Sequence, residues 1–157
     1  IRFMMLNRSN DVELDFDFAK VLEKSKDNPV FSVQYSFARI SSLFRTIEKN
    51  INDEISLRSD EIKLNHIEAK ILRKVFEWPK IIGIASLKHE PHRIPYYLYD
   101  LATLFHSYWS KGNDNEDYKF IENGKIKKNS TLCIIVLVAI VIQRGMSILD
   151  VSLPNKM

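Results

Sequence analysis

The chain has a single cysteine, four glycines and five prolines among its 157 residues, and each scarcity removes a class of protein. Cys133 alone excludes an internal disulfide and a cysteine zinc cluster, and it fits a reducing compartment. So few glycines and prolines disfavour a turn-rich β architecture and favour long helices. Enzymatic signatures are also missing: there is no Gly-rich phosphate loop, no nucleophile elbow and no ordered acid–base pair. Asp15 and Asp17 are two residues apart, a spacing that does not share a helical face, and they are assigned to capping or solvation. His89, His92 and His106 form no HxxxH pair on one face, so no metal site is expected and capping or surface roles are. Charge of one sign is scarce as well. The formal net charge is +3, so a nucleic-acid partner would have to be met by a local patch and not by the field of the whole molecule.

No secretory leader is expected, because Ile1 to Leu6 is too short and lacks a cleavage-site pattern. Together with the missing initiating Met, this is read as a chain that begins inside a longer protein. The longest apolar run, Leu132 to Ile142, would reach only about half of a 30 Å hydrocarbon layer and is expected to be a core helix.

What is present is helical periodicity. Apolar residues make up 45% and charged residues 27%, ordinary values for a globular protein long enough to bury a core. The segment Asn28 to Arg45 shows two faces. Val30, Val33, Phe37, Ile40 and Phe44 recur as a packing stripe, while Phe31, Tyr35, Arg39 and Ser42 form a second column. Asn28-Pro29 supplies a helix start, and the helix is expected to run to about Lys49. The second column has two open readings, burial between neighbouring helices or a polar-aromatic strip facing RNA. Arg and Lys contacts to phosphate, with bases stacked on aromatic rings, are the ingredients of single-stranded RNA recognition. Tyr35, Arg39, Arg45 and Trp109 are the candidates.

Further helices are expected around this one. A mixed pattern suggests one from Phe16 to Glu23. Ser59 is expected to cap a second, packed through Leu64, Ile67, Ile71, Val75 and Trp78, with Lys63, Lys70, Arg73 and Lys74 outside and Pro79 stopping it. A shorter apolar segment covers Lys80 to Leu87. His92 to Ser110 packs through Ile94, Leu98, Leu101, Phe105 and Tyr108, beside a column of Tyr99, Ala102, His106 and Trp109. Lys111 to Asn129 reads as a polar loop in which Asn123-Gly124 closes a tiny type I′ hairpin. A final helix begins near Ser130, with Met146 and Leu149 extending its packing stripe. The fold class is therefore all-α, a bundle of five to six helices.

Four stretches also carry a family resemblance: RFMMLNRSNDVELDFDF, NPVFSVQYSFARISSLFR, EPHRIPYYLYDLATLFHSYW and the terminal QRGMSILDVSLPNKM. In order and spacing the chain resembles the C-terminal part of an arginyl-tRNA synthetase. That resemblance implies a tail of the catalytic region at residues 1–16, and a helical anticodon-binding domain of the class Ia, DALR type at residues 17–157. It implies tRNA(Arg) as partner, a catalytic domain in the same chain, a monomer in the cytoplasm, and no membrane or DNA partner. No cofactor is expected in this piece; ATP with Mg would serve the parent enzyme, whose HIGH-like and KMSKS-like motifs are not in this sequence, so the piece alone should not aminoacylate.

Carried across residue by residue, the resemblance sets Tyr35 and Arg39 in the QYxxxR pattern beside the anticodon loop, with Arg45 close by. Trp109 stands where the family usually has Tyr, to stack on or wall off a base, and Met157 matches a terminal Met whose side chain and carboxylate help enclose one. Three positions depart from the pattern: Phe37 for a customary His, His106 for Asn, and Thr131 for Arg, the last removing a charged contact near the RNA or the helix start. Two other readings remain, a helical protein-interaction module and the anticodon domain of a related class Ia synthetase such as the cysteine enzyme.

Overall fold

Helix α2, Pro29–Thr46, begins where Asn28 accepts a hydrogen bond from the Phe31 amide and Pro29 occupies the first turn. The structure is a computed structural model that describes residues 1–9, 23, 25, 27–51, 53, 55 and 63–157. Its other helices are α1 (Arg2–Leu6), α3 (His66–Phe76), α4 (Trp78–Leu87), α5 (Arg93–Asp114) and α6 (Asn129–Ile148). The Asp15–Asp17 pair, the Ser59 cap and nearly all of the helix expected from Phe16 to Glu23 lie outside the described residues.

Helix α5 is central, packing against α2, α3, α4 and α6. Its expected stripe of Ile94, Leu98, Leu101, Phe105 and Tyr108 is buried, and so are Val33, Phe37, Ile40 and Phe44 of α2, with Val30 half-buried against them. Helix α6 is apolar through its middle, with Gln143, Arg144 and Ser147 exposed toward its end. By length and composition it could cross a membrane, yet 56% of that window is buried inside the bundle against α3, α5 and α2. It is the core helix that its 11-residue apolar run suggests.

Helix boundaries shifted for identifiable reasons. Helix α2 stops at Thr46, short of Lys49, because Glu48 turns left-handed at φ 53° and the Lys49 amide bonds back to the Phe44 carbonyl, a Schellman end. The same motif ends α4 at His89 and α6 at Asp150. Helix α3 starts at His66, after Leu64, where Asn65 and Glu68 form a reciprocal capping box. Trp78 is buried as expected but opens α4, with Pro79 in that helix's first turn. Helix α5 continues past Ser110 to Asp114, so the polar connection is shorter than expected; it contains a 3-10 turn at Glu116–Tyr118 and the hairpin β1 (Ile121–Glu122) and β2 (Lys125–Ile126). Asn123 and Gly124 both have positive φ, as a type I′ turn requires.

One side-chain placement also differs from the periodicity. Lys74 is not on the open face; it is half-buried, paired to Asp100 at 3.2 Å and over the Tyr97 ring at 5.1 Å. The apolar start is helical, and Phe3 is buried in the core while Ile1 and Met5 stay exposed.

Glu68 is fully buried, and its carboxylate accepts from the Tyr108 hydroxyl at 2.6 Å, the Thr131 hydroxyl at 2.5 Å and the Asn65 amide at 2.8 Å. These donors tie α3, α5 and the head of α6 together. The Thr131 departure thus has a structural account, since its side chain points into the bundle and supplies one donor to a buried carboxylate.

Candidate nucleic-acid interface

The second column of α2 does not stand free. Tyr35 and Arg39 are half-buried beside rings of α5 while Ser42 is exposed, so the face is partly covered and partly open. The Arg39 guanidinium lies 4.4 Å from the Tyr35 ring centre and 5.3 Å from that of Trp109. Planar guanidinium over an aromatic face is favourable by about 0.5–1 kcal/mol at exposed sites and more where water is excluded. Phe31 stacks on Tyr35 with ring centres 5.8 Å apart, extending the aromatic row by one turn.

Trp109 is anchored from behind by Phe105 and Phe120, at ring separations of 5.9 and 5.5 Å. Its indole therefore forms a fixed wall for Arg39. His106, assigned from sequence to a surface or capping role, instead bridges the helices: its Nδ1 is 3.3 Å from an Arg39 guanidinium nitrogen and its Nε2 is 3.0 Å from the Ser32 carbonyl oxygen. The signal was in the column Tyr99, Ala102, His106 and Trp109, which puts a polar ring one turn from an indole.

The C-terminal tail completes the site. Gln34 donates to the Ser152 carbonyl at 2.8 Å, and Arg45 to the Asn155 carbonyl at 3.0 Å, so the tail runs along α2 toward its C-terminal end. An open cavity of about 330 Å³ results, lined by Tyr35, Ala38, Arg39, Ser42, Arg45, Lys156 and Met157. Four of the five residues expected at the site meet there; Trp109 stands behind Arg39 and joins it through the guanidinium. Periodicity placed Ser42 on this face; sequence reasoning missed Lys156 and the tail carbonyls, because periodicity says nothing about where an extended tail crosses a helix. On the other side of the tail, a wider groove of about 890 Å³ lies between Phe37, Ile140, Arg144 and residues 150–153. The lining of the smaller cavity supplies three cations, one aromatic face and a thioether.

The model of the DALR anticodon binding domain matches residues 33–157. The chain is 51% identical over 156 residues to an arginine-tRNA ligase of Pelagibacter ubique, covering 99% of this chain and 27% of that protein. It is 44% identical to one of Ruegeria pomeroyi, covering 99% and 28%. It therefore spans a little over a quarter of the length of these curated relatives. Among solved structures, one assigned to an arginyl-tRNA synthetase of Campylobacter jejuni superposes with a TM-score of 0.83 at 28% identity, over 99% of this chain and 32% of that one. On the extent of the family match and the shared fold, the chain belongs to the DALR anticodon-binding domain family.

Proposed function

We propose that this chain binds the anticodon loop of tRNA(Arg) as part of an arginine-tRNA ligase. The observation that carries the reading is the convergence of Tyr35, Arg39, Arg45 and Met157 on one open cavity. Anticodon bases can unstack from their loop, and a cavity of this kind offers a splayed base an aromatic face, guanidinium donors and an apolar lid. Arg39 is the residue expected to recognise the base, because Tyr35 and Trp109 hold its guanidinium plane while the cavity leaves one side open. Arg45 and Lys156 add positive charge for nearby phosphates, and Met157 gives the cavity its apolar lining.

In this proposal residues 1–16 belong to the tail of the catalytic region and residues 17–157 to the anticodon domain. The parent enzyme attaches arginine to tRNA, with ATP and Mg serving chemistry carried out by residues outside this chain. It acts as a cytoplasmic monomer, with neither DNA nor membrane as partner.

The test is equilibrium binding of tRNA(Arg) transcript to the wild type and to Arg39→Ala, with thermal unfolding as a control. Loss of one cation-supported base contact should weaken binding by about tenfold or more, in line with about 1–3 kcal/mol per stacked base. A tRNA with a substituted anticodon should bind the wild type as poorly as the variant binds its cognate. Unchanged affinity with an intact fold would overturn the reading.

A further inference from the structure

We infer that His106 is the positioning residue for Arg39, holding its guanidinium in the orientation that faces the cavity; the inference rests on the proposed RNA reading of that cavity. Two hydrogen-bond partners of the imidazole require the same proton arrangement. The Ser32 carbonyl can only accept, so Nε2 carries the hydrogen and donates at 3.0 Å. The Arg39 guanidinium can only donate, so Nδ1 is the unprotonated nitrogen and accepts at 3.3 Å. One neutral tautomer therefore satisfies both partners, and the ring is fixed at both ends.

The geometry gives this bridge a purpose. Ser32 and Arg39 are seven residues apart, two turns along one face of α2, and His106 reaches from α5 to span them. Its ring also lies 5.7 Å from that of Tyr35, the residue between them on the same face. Arg39 is thus restrained by the Tyr35 ring on one side, the Trp109 ring on another and the His106 nitrogen on a third, and among the described residues its remaining approach is the cavity. A long side chain held in this way loses less rotamer freedom when it meets a ligand, so the cost of ordering it is already met in the free protein.

The experiment measures tRNA(Arg) transcript affinity and melting temperature for His106→Leu, His106→Asn, Arg39→Ala and the double variant His106→Leu/Arg39→Ala, all in the full-length gene product. His106→Leu removes the acceptor and should weaken binding by about tenfold, the order expected for a charge-assisted hydrogen bond. His106→Asn should recover most of that loss, because the Asn Oδ1 can take the place of Nδ1 as acceptor. In the Arg39→Ala background His106→Leu should have no further effect, since the imidazole acts through the guanidinium. Wild-type affinity in His106→Leu, or an equal loss in the Arg39→Ala background, would overturn the inference while leaving the RNA reading in place. Wild-type affinity in folded Arg39→Ala would instead remove the RNA reading and this inference with it.

Discussion

The Arg45 guanidinium donates a hydrogen bond to the Asn155 carbonyl oxygen at 3.0 Å, and this contact fastens the C-terminal tail to α2 two residues before Met157. Because the partners are exposed and the bond is single, it should matter more for where the tail lies than for global stability. Arg45→Ala, and separately deletion of Lys156 and Met157, should each weaken tRNA(Arg) binding by about threefold to tenfold, the range of one ordinary hydrogen bond. Melting temperatures should stay near that of the wild type. If filter binding gives unchanged affinity for both variants, the tail plays no part in the site.

The buried Glu68 carboxylate makes the bundle sensitive to loss of a neutral donor. Thr131→Val keeps the side-chain shape and removes the hydroxyl that reaches Glu68. Leaving a buried acceptor short of a partner costs about 1–3 kcal/mol. Urea denaturation should show that loss for Thr131→Val and a similar one for Tyr108→Phe. A loss below about 0.5 kcal/mol in both would mean that the network contributes little beyond side-chain packing.

Alkaline pH should unfold the protein through two phenols. Burial pushes the hydroxyls of both Tyr97 and Tyr108 well above the ordinary tyrosine range, with the Glu68 contact adding to the shift at Tyr108. A group whose pKa is raised by folding stabilises the fold fully below its unfolded pKa, about 10 for tyrosine, and that contribution is lost as pH climbs through the folded value. Melting temperature should therefore fall as pH rises above about 10. The Tyr97→Phe/Tyr108→Phe variant should show a shallower fall from a lower starting stability. A parallel pH profile in that variant would show that other groups control alkaline unfolding.

Two glycines should respond oppositely to alanine. At Gly112 an added Cβ would sit 2.9 Å from the Tyr118 carbonyl oxygen, a backbone atom that can move only if the 3-10 turn moves. Gly112→Ala should cost about 1–3 kcal/mol, as other overpacked sites do. At Gly83, inside α4, an added Cβ meets nothing within 4 Å. Gly83→Ala should therefore gain about 0.5–1 kcal/mol from helix propensity. Chemical denaturation of the pair checks the contrast, and a gain at Gly112 would contradict the close approach.

Glu48 occupies the left-handed end position of α2 at φ 53°, where a Cβ is disfavoured. Glu48→Gly relieves that conformation and should raise stability by about 0.5–1 kcal/mol. A lower melting temperature would mean that the Glu48 side chain makes a compensating interaction.

Much of this architecture was legible in the sequence because helical packing repeats at a fixed angle. The stripes on α2, α5 and α6 follow from that period, and the Asn28 cap, the Asn123-Gly124 turn and the burial of Trp78 follow from local chemistry. Boundaries were less legible where a local motif competed with periodicity. Asn65 with Glu68 set the start of α3, and a left-handed Glu48 ended α2 early, although neither position is apolar.

For the Tyr35–Arg39 turn, spacing along the chain is enough to set an aromatic ring and a guanidinium on one helix face away from the packing stripe, because residues four apart lie one turn above another. Only the tertiary structure decided what that turn meets. Residues 67 positions away brought His106 against Arg39, and residues 110 positions away brought Asn155 to Arg45, closing a cavity that no local pattern contains. The physical reason is that periodicity fixes the direction of a side chain relative to its own helix, whereas partners across helices depend on how several buried faces pack at once.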